Sequence, residues 1–220
     1  MKVVIYGATG MVGQAALRAS LLDPEVTSVV TVGRAATGQQ HAKLREVVLA
    51  DVADAEPVTG EFADADGVLF CLGVSSVGMD PATYTRITYD LTLSVARAAA
   101  AANPGLAFIY VSGAGTDSTE QRSGWAKVKG RTENELLKLP FKGYMFRPGF
   151  IRPMHGIGPR SRVYRSVYLL VFPLYPILRR LAPRWVMTTD ELGRAMLKVV
   201  RDGADKQVLE SPDIVALGAA

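Results

Sequence analysis

The chain has 220 residues, 49% of them hydrophobic, which suits one α/β domain with a sizeable core. Its 25 basic and 21 acidic residues give a net charge of +4, and with no nucleic-acid-binding motif beside it that balance argues against a nucleic-acid partner. A single cysteine, Cys71, excludes an intrachain disulfide, and two histidines far apart, His41 and His155, indicate no transition-metal site.

The charge is unevenly spread. From Leu136 to Thr189 no Asp or Glu occurs, while Lys138, Lys142 and eight arginines do. Such a block suits an anionic cofactor or substrate, a membrane surface or an acidic protein partner. Within it, the apolar run Val167 to Leu178 is cut by Pro173 and Pro176 and is too short to span a bilayer. With Arg179 and Arg180 beside it, this run is a candidate homodimer or membrane-surface helix. The first strand begins at residue 2, which leaves no room for a signal peptide, so the expected compartment is the cytoplasm.

In chain order, an apolar run from Lys2 to Tyr6 leads into three spaced glycines, Gly7, Gly10 and Gly13, and a helical pattern follows from Met11 to Leu22. Strand, tight turn and helix start in this order are what a dinucleotide-binding unit requires, although a bland tight turn shares the pattern. Gly7 turns the chain off the strand tip, Gly10 lets backbone approach a pyrophosphate, and Gly13 seats the helix on the sheet. The helix start, with Thr9, Met11 and Val12, then turns its amides to the phosphates. Val26 to Val32 reads as a second strand ending at Gly33-Arg34. A chain that prefers NAD places an acid here for the ribose hydroxyl, and none occurs between Val26 and Arg45. Arg34 offers a planar cation to a 2′-phosphate, with a solvated loop as the alternative, so NADP(H) is expected over NAD(H).

Leu44 to Leu49 reads as the third strand. Asp51 beyond it would accept from an adenine amino group or cap a turn. Gly60 to Asp66 is a polar loop or short helix. Gly67 to Leu72 has the continuous apolar character of a strand buried on both faces, with Cys71 a core residue, and Gly73 admits a cofactor at its tip. Pro81 to Asn103 is a long helix, Leu106 to Val111 a fifth strand ending at Ser112, and Trp125 to Leu139 the next helix. Gly143 to Arg147 is a sixth strand, closed by Pro148-Gly149. The order predicts an α/β, Rossmann-type, doubly wound parallel sheet within a single domain, 1–220. Ligands then bind at the carboxyl ends of the strands, where Gly7, Arg34, Gly73, Ser112 and Pro148 would cluster. Residues 151–188 read as a small substrate-side or interface lobe. Thr188 to Glu191 resembles a capping box opening a helix to about Val200, Gln207 to Glu210 is a short strand, and Ser211-Pro212 opens a terminal helix.

The glycine spacing, together with Arg147-Pro148-Gly149, resembles the atypical and extended short-chain dehydrogenase/reductases. These include the NAD(P)-binding epimerase/dehydratase-like proteins and the tumour-suppressor oxidoreductase-like group. The resemblance covers Val3 to about Gly149. It implies catalysis by a serine and a Tyr-x-x-x-Lys motif, and it puts Ser112 and Lys129 at two of those positions. Trp125 stands where the family has tyrosine, and an indole has no usable acid–base pKa. Thr88 stands where the branch often has asparagine. Lys129 is left to bind the nicotinamide ribose or to lie solvated on its helix. Ser112 polarises a carbonyl or bonds a backbone turn. Tyr84 is a substitute proton donor or a core aromatic, and His155 an acid–base group or a surface residue. The expected function is an NADP(H)-binding oxidoreductase or epimerase-like enzyme transferring hydride to or from a small carbonyl or hydroxyl substrate. The alternative is a catalytically weak NADPH-binding sensor or scaffold.

Overall fold

The computed structural model describes residues 1–158 and 180–219. Its centre is a seven-stranded sheet whose every pairing is parallel. The strands are β1 (Lys2–Tyr6), β2 (Ser28–Gly33), β3 (Leu44–Val48), β4 (Gly67–Phe70), β5 (Ala107–Val111) and β6 (Lys142–Arg147). A last strand (Val208–Glu210) joins the edge beside β6, so the first six run in the spatial order 3-2-1-4-5-6 of a doubly wound fold. The order reverses at β1, and its carboxyl end and that of β4 open the crevice where such sheets bind ligands.

Period-two alternation sends successive β1 residues to opposite faces. Val3 and Ile5 join one core with Leu69, Ile109 and Phe146; Val4 and Tyr6 join the other with Phe70, Phe108 and Phe62. Helix α1 (Met11–Leu22) covers the first face. On the second face lie α2 (Thr59–Ala63), α3 (Pro81–Thr85), α4 (Leu91–Ala102) and α5 (Trp125–Leu136). The long helix expected over 81–103 is interrupted by a π-helical turn, Arg86–Asp90, between α3 and α4. Asp80 caps it by accepting from the Thr83 amide at 2.9 Å, and Pro81 occupies the first turn.

Two strands escape sequence reading. β7 (Phe150–Arg152) pairs in parallel with β8 (Val186–Thr188), registering Ile151 against Met187. Three residues are too few to display a period. This small sheet leads into α6 (Thr189–Asp202), whose capping box forms as expected: the Thr188 hydroxyl accepts from the Glu191 amide, and the Glu191 carboxylate from the Thr188 amide. Gly193 lets α6 lie directly on α1, because a Cβ there would meet the Ala15 carbonyl oxygen at 2.7 Å. The strand Val208–Glu210 is β9, and α7 (Ser211–Ala219) closes the described chain. Of the lobe expected at 151–188, the run Val167 to Leu178 lies outside the described residues. Among the described residues, no helix is long and apolar enough to cross a membrane.

Candidate functional site

The glycine turn is shaped by close approach. Gly7 has φ +79°, and a Cβ on it would lie 2.7 Å from the Leu72 backbone. At Gly13 a Cβ would stand 2.1 Å from the Gly7 carbonyl oxygen, so this glycine is what lets α1 begin directly over the strand tip. Gly10 is the helix N-cap and brings no capping side chain, and the first turn holds no acid. Among the described residues, the amides of Met11 and Val12 find no acceptor. Gln14 steadies the turn by donating from Nε2 to the Thr9 carbonyl at 3.0 Å. Open amides at the positive end of a helix, without a competing carboxylate, fit a dinucleotide pyrophosphate.

These amides border a cavity of about 270 Å³ at the carboxyl edge of the sheet. Gly10, Met11 and Val12 form one wall, Cys71 and Gly73 another, and Val111, Ser112, Lys129, Pro148, Gly149 and Ile151 complete it. The structure thus brings six of the expected cofactor residues, Gly10, Met11, Val12, Gly73, Lys129 and Pro148, together with Ser112. Cys71 belongs to this wall rather than purely to the core, and burial pushes its thiol up to about 12, leaving it protonated and inert.

Lys129 lies one turn into α5 and donates from Nζ to the Ser112 carbonyl. Burial pulls its ammonium down to about 8. Ser112 is 6% exposed, and its hydroxyl donates to the Phe146 carbonyl at 3.1 Å, stitching β5 to β6. Trp125 is 39% exposed, rests against Gly115 and does not line the cavity. Gly130 allows α5 its position, since a Cβ there would stand 1.8 Å from the Asp117 carbonyl oxygen.

Behind Lys129 sits a network that sequence reading missed. Glu133, fully buried, holds Arg147, which donates to its carboxylate from Nε at 3.0 Å and again from Nη2. Arg147 also reaches Glu210 at 2.9 Å and the Ser118 hydroxyl. The pair joins α5, β6, β9 and the loop before α5. No spacing in the sequence announces it, because Glu133 and Arg147 sit on different elements. The basic block is correspondingly less available to anions than its composition suggests: Arg147 is internal, and Lys138 pairs with Glu135.

Other expected residues lie apart from the cavity. Arg34 is exposed immediately after β2, and among the described residues no carboxylate pairs with it. Glu46, just beyond the stretch searched for an acid, accepts from the Thr37 amide at 2.6 Å and the Thr31 hydroxyl at 3.3 Å. That fixes the loop carrying Arg34 and holds the Glu46 carboxyl below its usual range. Asp51 accepts from the Ala53 amide at 2.9 Å, as a turn cap does. Of the two readings given for Tyr84, its place fits the core aromatic: it is 4% exposed, packs near Tyr110 and does not line the cavity. Thr88 is also buried, and its carbonyl accepts from the Thr92 hydroxyl at 2.8 Å. His155 pairs with Asp190 at 2.8 Å on a separate cleft lined by Gln14, Arg18 and Gln39.

Residues 3–138 match the model of the NAD dependent epimerase/dehydratase family. The FMP52 mitochondrial protein of Meyerozyma guilliermondii is 27% identical over 188 residues, 80% of this chain and 79% of that protein. The fmp52 mitochondrial protein of Emericella nidulans is 27% identical over 206 residues, covering 88% and 84%. Their mitochondrial naming overturns the cytoplasmic expectation, which rested on an early first strand and an apolar run too short to span a bilayer. Among solved structures, a UDP-glucose 4-epimerase superposes with a TM-score of 0.71 at 18% identity, over 98% of this chain and 80% of its own. The Bordetella bronchiseptica enzyme WbmH, in complex with NAD+, gives 0.66 at 20% identity over 95% and 74%. The match over residues 3–138, together with the glycine turn and the sheet order, makes this chain a member of the NAD dependent epimerase/dehydratase family.

Proposed function

We propose that the chain is an NADP(H)-dependent oxidoreductase or epimerase-like enzyme acting on a small carbonyl or hydroxyl compound. The observation that carries this reading is one cavity bounded by the open amides of α1 at one end and by Lys129 and Ser112 at the other. The bound nicotinamide supplies or accepts the hydride. Met11 and Val12 hold the pyrophosphate, Lys129 gives one N–H to a nicotinamide ribose hydroxyl, and the Ser112 oxygen, its proton engaged by Phe146, accepts from a substrate hydroxyl. Asp51 lies beyond β3 for the adenine end. Arg34 supports NADP(H), because a guanidinium with no carboxylate partner among the described residues suits a 2′-phosphate.

Thermal stabilisation by NADPH, NADP, NADH and NAD in parallel tests this. A ligand at about 100 times its dissociation constant adds roughly 2.7 kcal/mol of apparent stability. The expected outcome is a preference for the phosphorylated pair that Arg34→Ala abolishes; equal stabilisation by all four overturns the preference. A second reading, a dinucleotide-binding sensor, draws support from Trp125 outside the cavity and from the hydrogen-bonded Ser112 hydroxyl. NADPH consumption across a carbonyl and quinone panel separates the two.

A further inference from the structure

The family's usual proton donor is absent, and neither Tyr84 nor Trp125 lines the cavity. Among the described residues that do line it, two side chains carry an exchangeable proton on a titratable group, Lys129 and Cys71. The Cys71 thiol is held protonated by burial, as above. Ser112 has its hydroxyl proton on the Phe146 carbonyl. Lys129 uses one N–H on the Ser112 carbonyl, which leaves two for ligands in the cavity. Its charged surroundings are few. On its own helix, Glu133 is turned to Arg147 from β6, and Arg147 continues to Glu210 of β9. In the loop packed on α5, Asp117 is occupied by Thr119 and the Arg122 amide. On the β4 side stands Cys71 alone. Among the described residues, no carboxylate forms an ion pair with Lys129.

We infer that the Lys129 ammonium is itself the catalytic acid, delivering the proton that the family's tyrosine otherwise supplies. This rests on the reading of the cavity as a nicotinamide dinucleotide site. In the reducing direction the carbonyl carbon gains a hydride from the reduced nicotinamide, and the carbonyl π pair moves onto oxygen. That oxygen takes a proton as the N–H bond of Lys129 breaks, which leaves an alcohol, a neutral amine and the oxidised dinucleotide. The amine regains its proton from water. In the oxidising direction the neutral amine accepts the alcohol proton. An amine pulled down to about 8 is close enough to neutrality to serve both directions.

The two directions then carry opposite pH limbs. Carbonyl reduction falls as pH rises through about 8, where the ammonium is lost, and alcohol oxidation rises through the same point. The test begins without turnover. Wild-type protein is acylated with acetic anhydride across pH, and the peptide carrying Lys129 is quantified by mass spectrometry. Half-reactivity near 8 is expected, and an amine that reacts only above about 10, like an ordinary lysine, overturns the proposal. Lys129→Arg is then assayed with NADPH and 9,10-phenanthrenequinone. Arginine keeps the cation and a donor for the Ser112 carbonyl but releases no proton. The expected result is retained stabilisation by NADPH, a kcat about 100-fold lower and no limb near 8. Turnover within about 3-fold of wild type, with the limb intact, overturns the proposal. If this variant does not fold, the wild-type pH profiles decide: a reduction rate that falls and an oxidation rate that rises through about 8 support the proposal, and profiles flat from about pH 6 to 10 overturn it. Wild type that binds NADPH without reducing the quinone or any other carbonyl of the panel overturns the proton step and the hydride reading together. Wild type that NADPH does not stabilise overturns the underlying cofactor reading.

Discussion

At one end of the cavity the Gly7–Gly13 turn presents backbone amides and no functional side chain; at the other, Lys129 and Ser112 stand on a framework of Glu133, Arg147 and Glu210. The first end is positioned by the chain itself. Two close backbone approaches, Gly7 to Leu72 and Gly13 to the Gly7 carbonyl oxygen, fix where the amides point, and any dinucleotide with a pyrophosphate would meet the same surface. The second end is positioned by side chains bonded to one another across elements far apart in sequence. On the proposed function, binding depends on local backbone geometry, while chemistry depends on tertiary pairing. The two should therefore fail separately.

The largest effect is expected at the second end. Arg147→Ala leaves the fully buried Glu133 carboxylate without its cation, and losing one partner of a buried pair costs about 3–5 kcal/mol. Denaturant unfolding measures it. A cost below about 1 kcal/mol, the range of an exposed pair, would mean that the network does not hold this end together. In protein that remains folded at low temperature, NADPH should still stabilise, because the glycine turn is untouched.

Gly13→Ala breaks the opposite end. The added Cβ meets the Gly7 carbonyl oxygen, which backbone cannot cheaply yield, and overpacking of this kind costs about 1–3 kcal/mol. Here the stability loss should be smaller than for Arg147→Ala and the loss of dinucleotide-dependent stabilisation larger. The same ranking of the two variants in both measurements would erase the contrast between the two ends.

That contrast also explains what could be read from the sequence. The glycine turn is local: strand, turn and helix lie within residues 2–22, and each glycine occupies a position where a Cβ collides or the helix is capped. The inner strands were legible for the same reason, because each is one apolar run ending in small or polar residues. The Glu133–Arg147 pair was not, since its partners sit on different elements and nothing in the spacing joins them. Nor was the choice between the two readings of Tyr84, proton donor or core aromatic, settled by its spacing. A π turn offsets the buried face between α3 and α4, so no single helical period runs from Pro81 to Ala102. Trp125 was visible as a departure from the tyrosine motif, yet only the cavity shows that the indole stands outside it. Gly130 shows that the second end also contains one contact of the first kind, a helix resting on a carbonyl oxygen, which no motif announced.

The smallest expected effect has the opposite sign. Lys129→Met keeps the length of the side chain and removes a charge that burial disfavours. The folded-state pKa is lowered from 10.5 to about 8, so the wild type carries the whole desolvation cost below 8 and sheds it as pH rises toward 10.5. A shift of this size corresponds to at most about 3 kcal/mol, from which the lost bond to the Ser112 carbonyl subtracts about 1 kcal/mol. The variant should therefore be more stable than wild type by about 1–2 kcal/mol at pH 7, and the gap should close as pH rises. Urea unfolding of both proteins at pH 7 and pH 10 measures it. A variant less stable at pH 7, or a gap that widens with pH, would mean that Lys129 is held as an ordinary solvated ammonium. A lysine that weakens the fold at the pH where it is charged would mark the side-chain end as built for the proposed chemistry, a character the glycine end lacks.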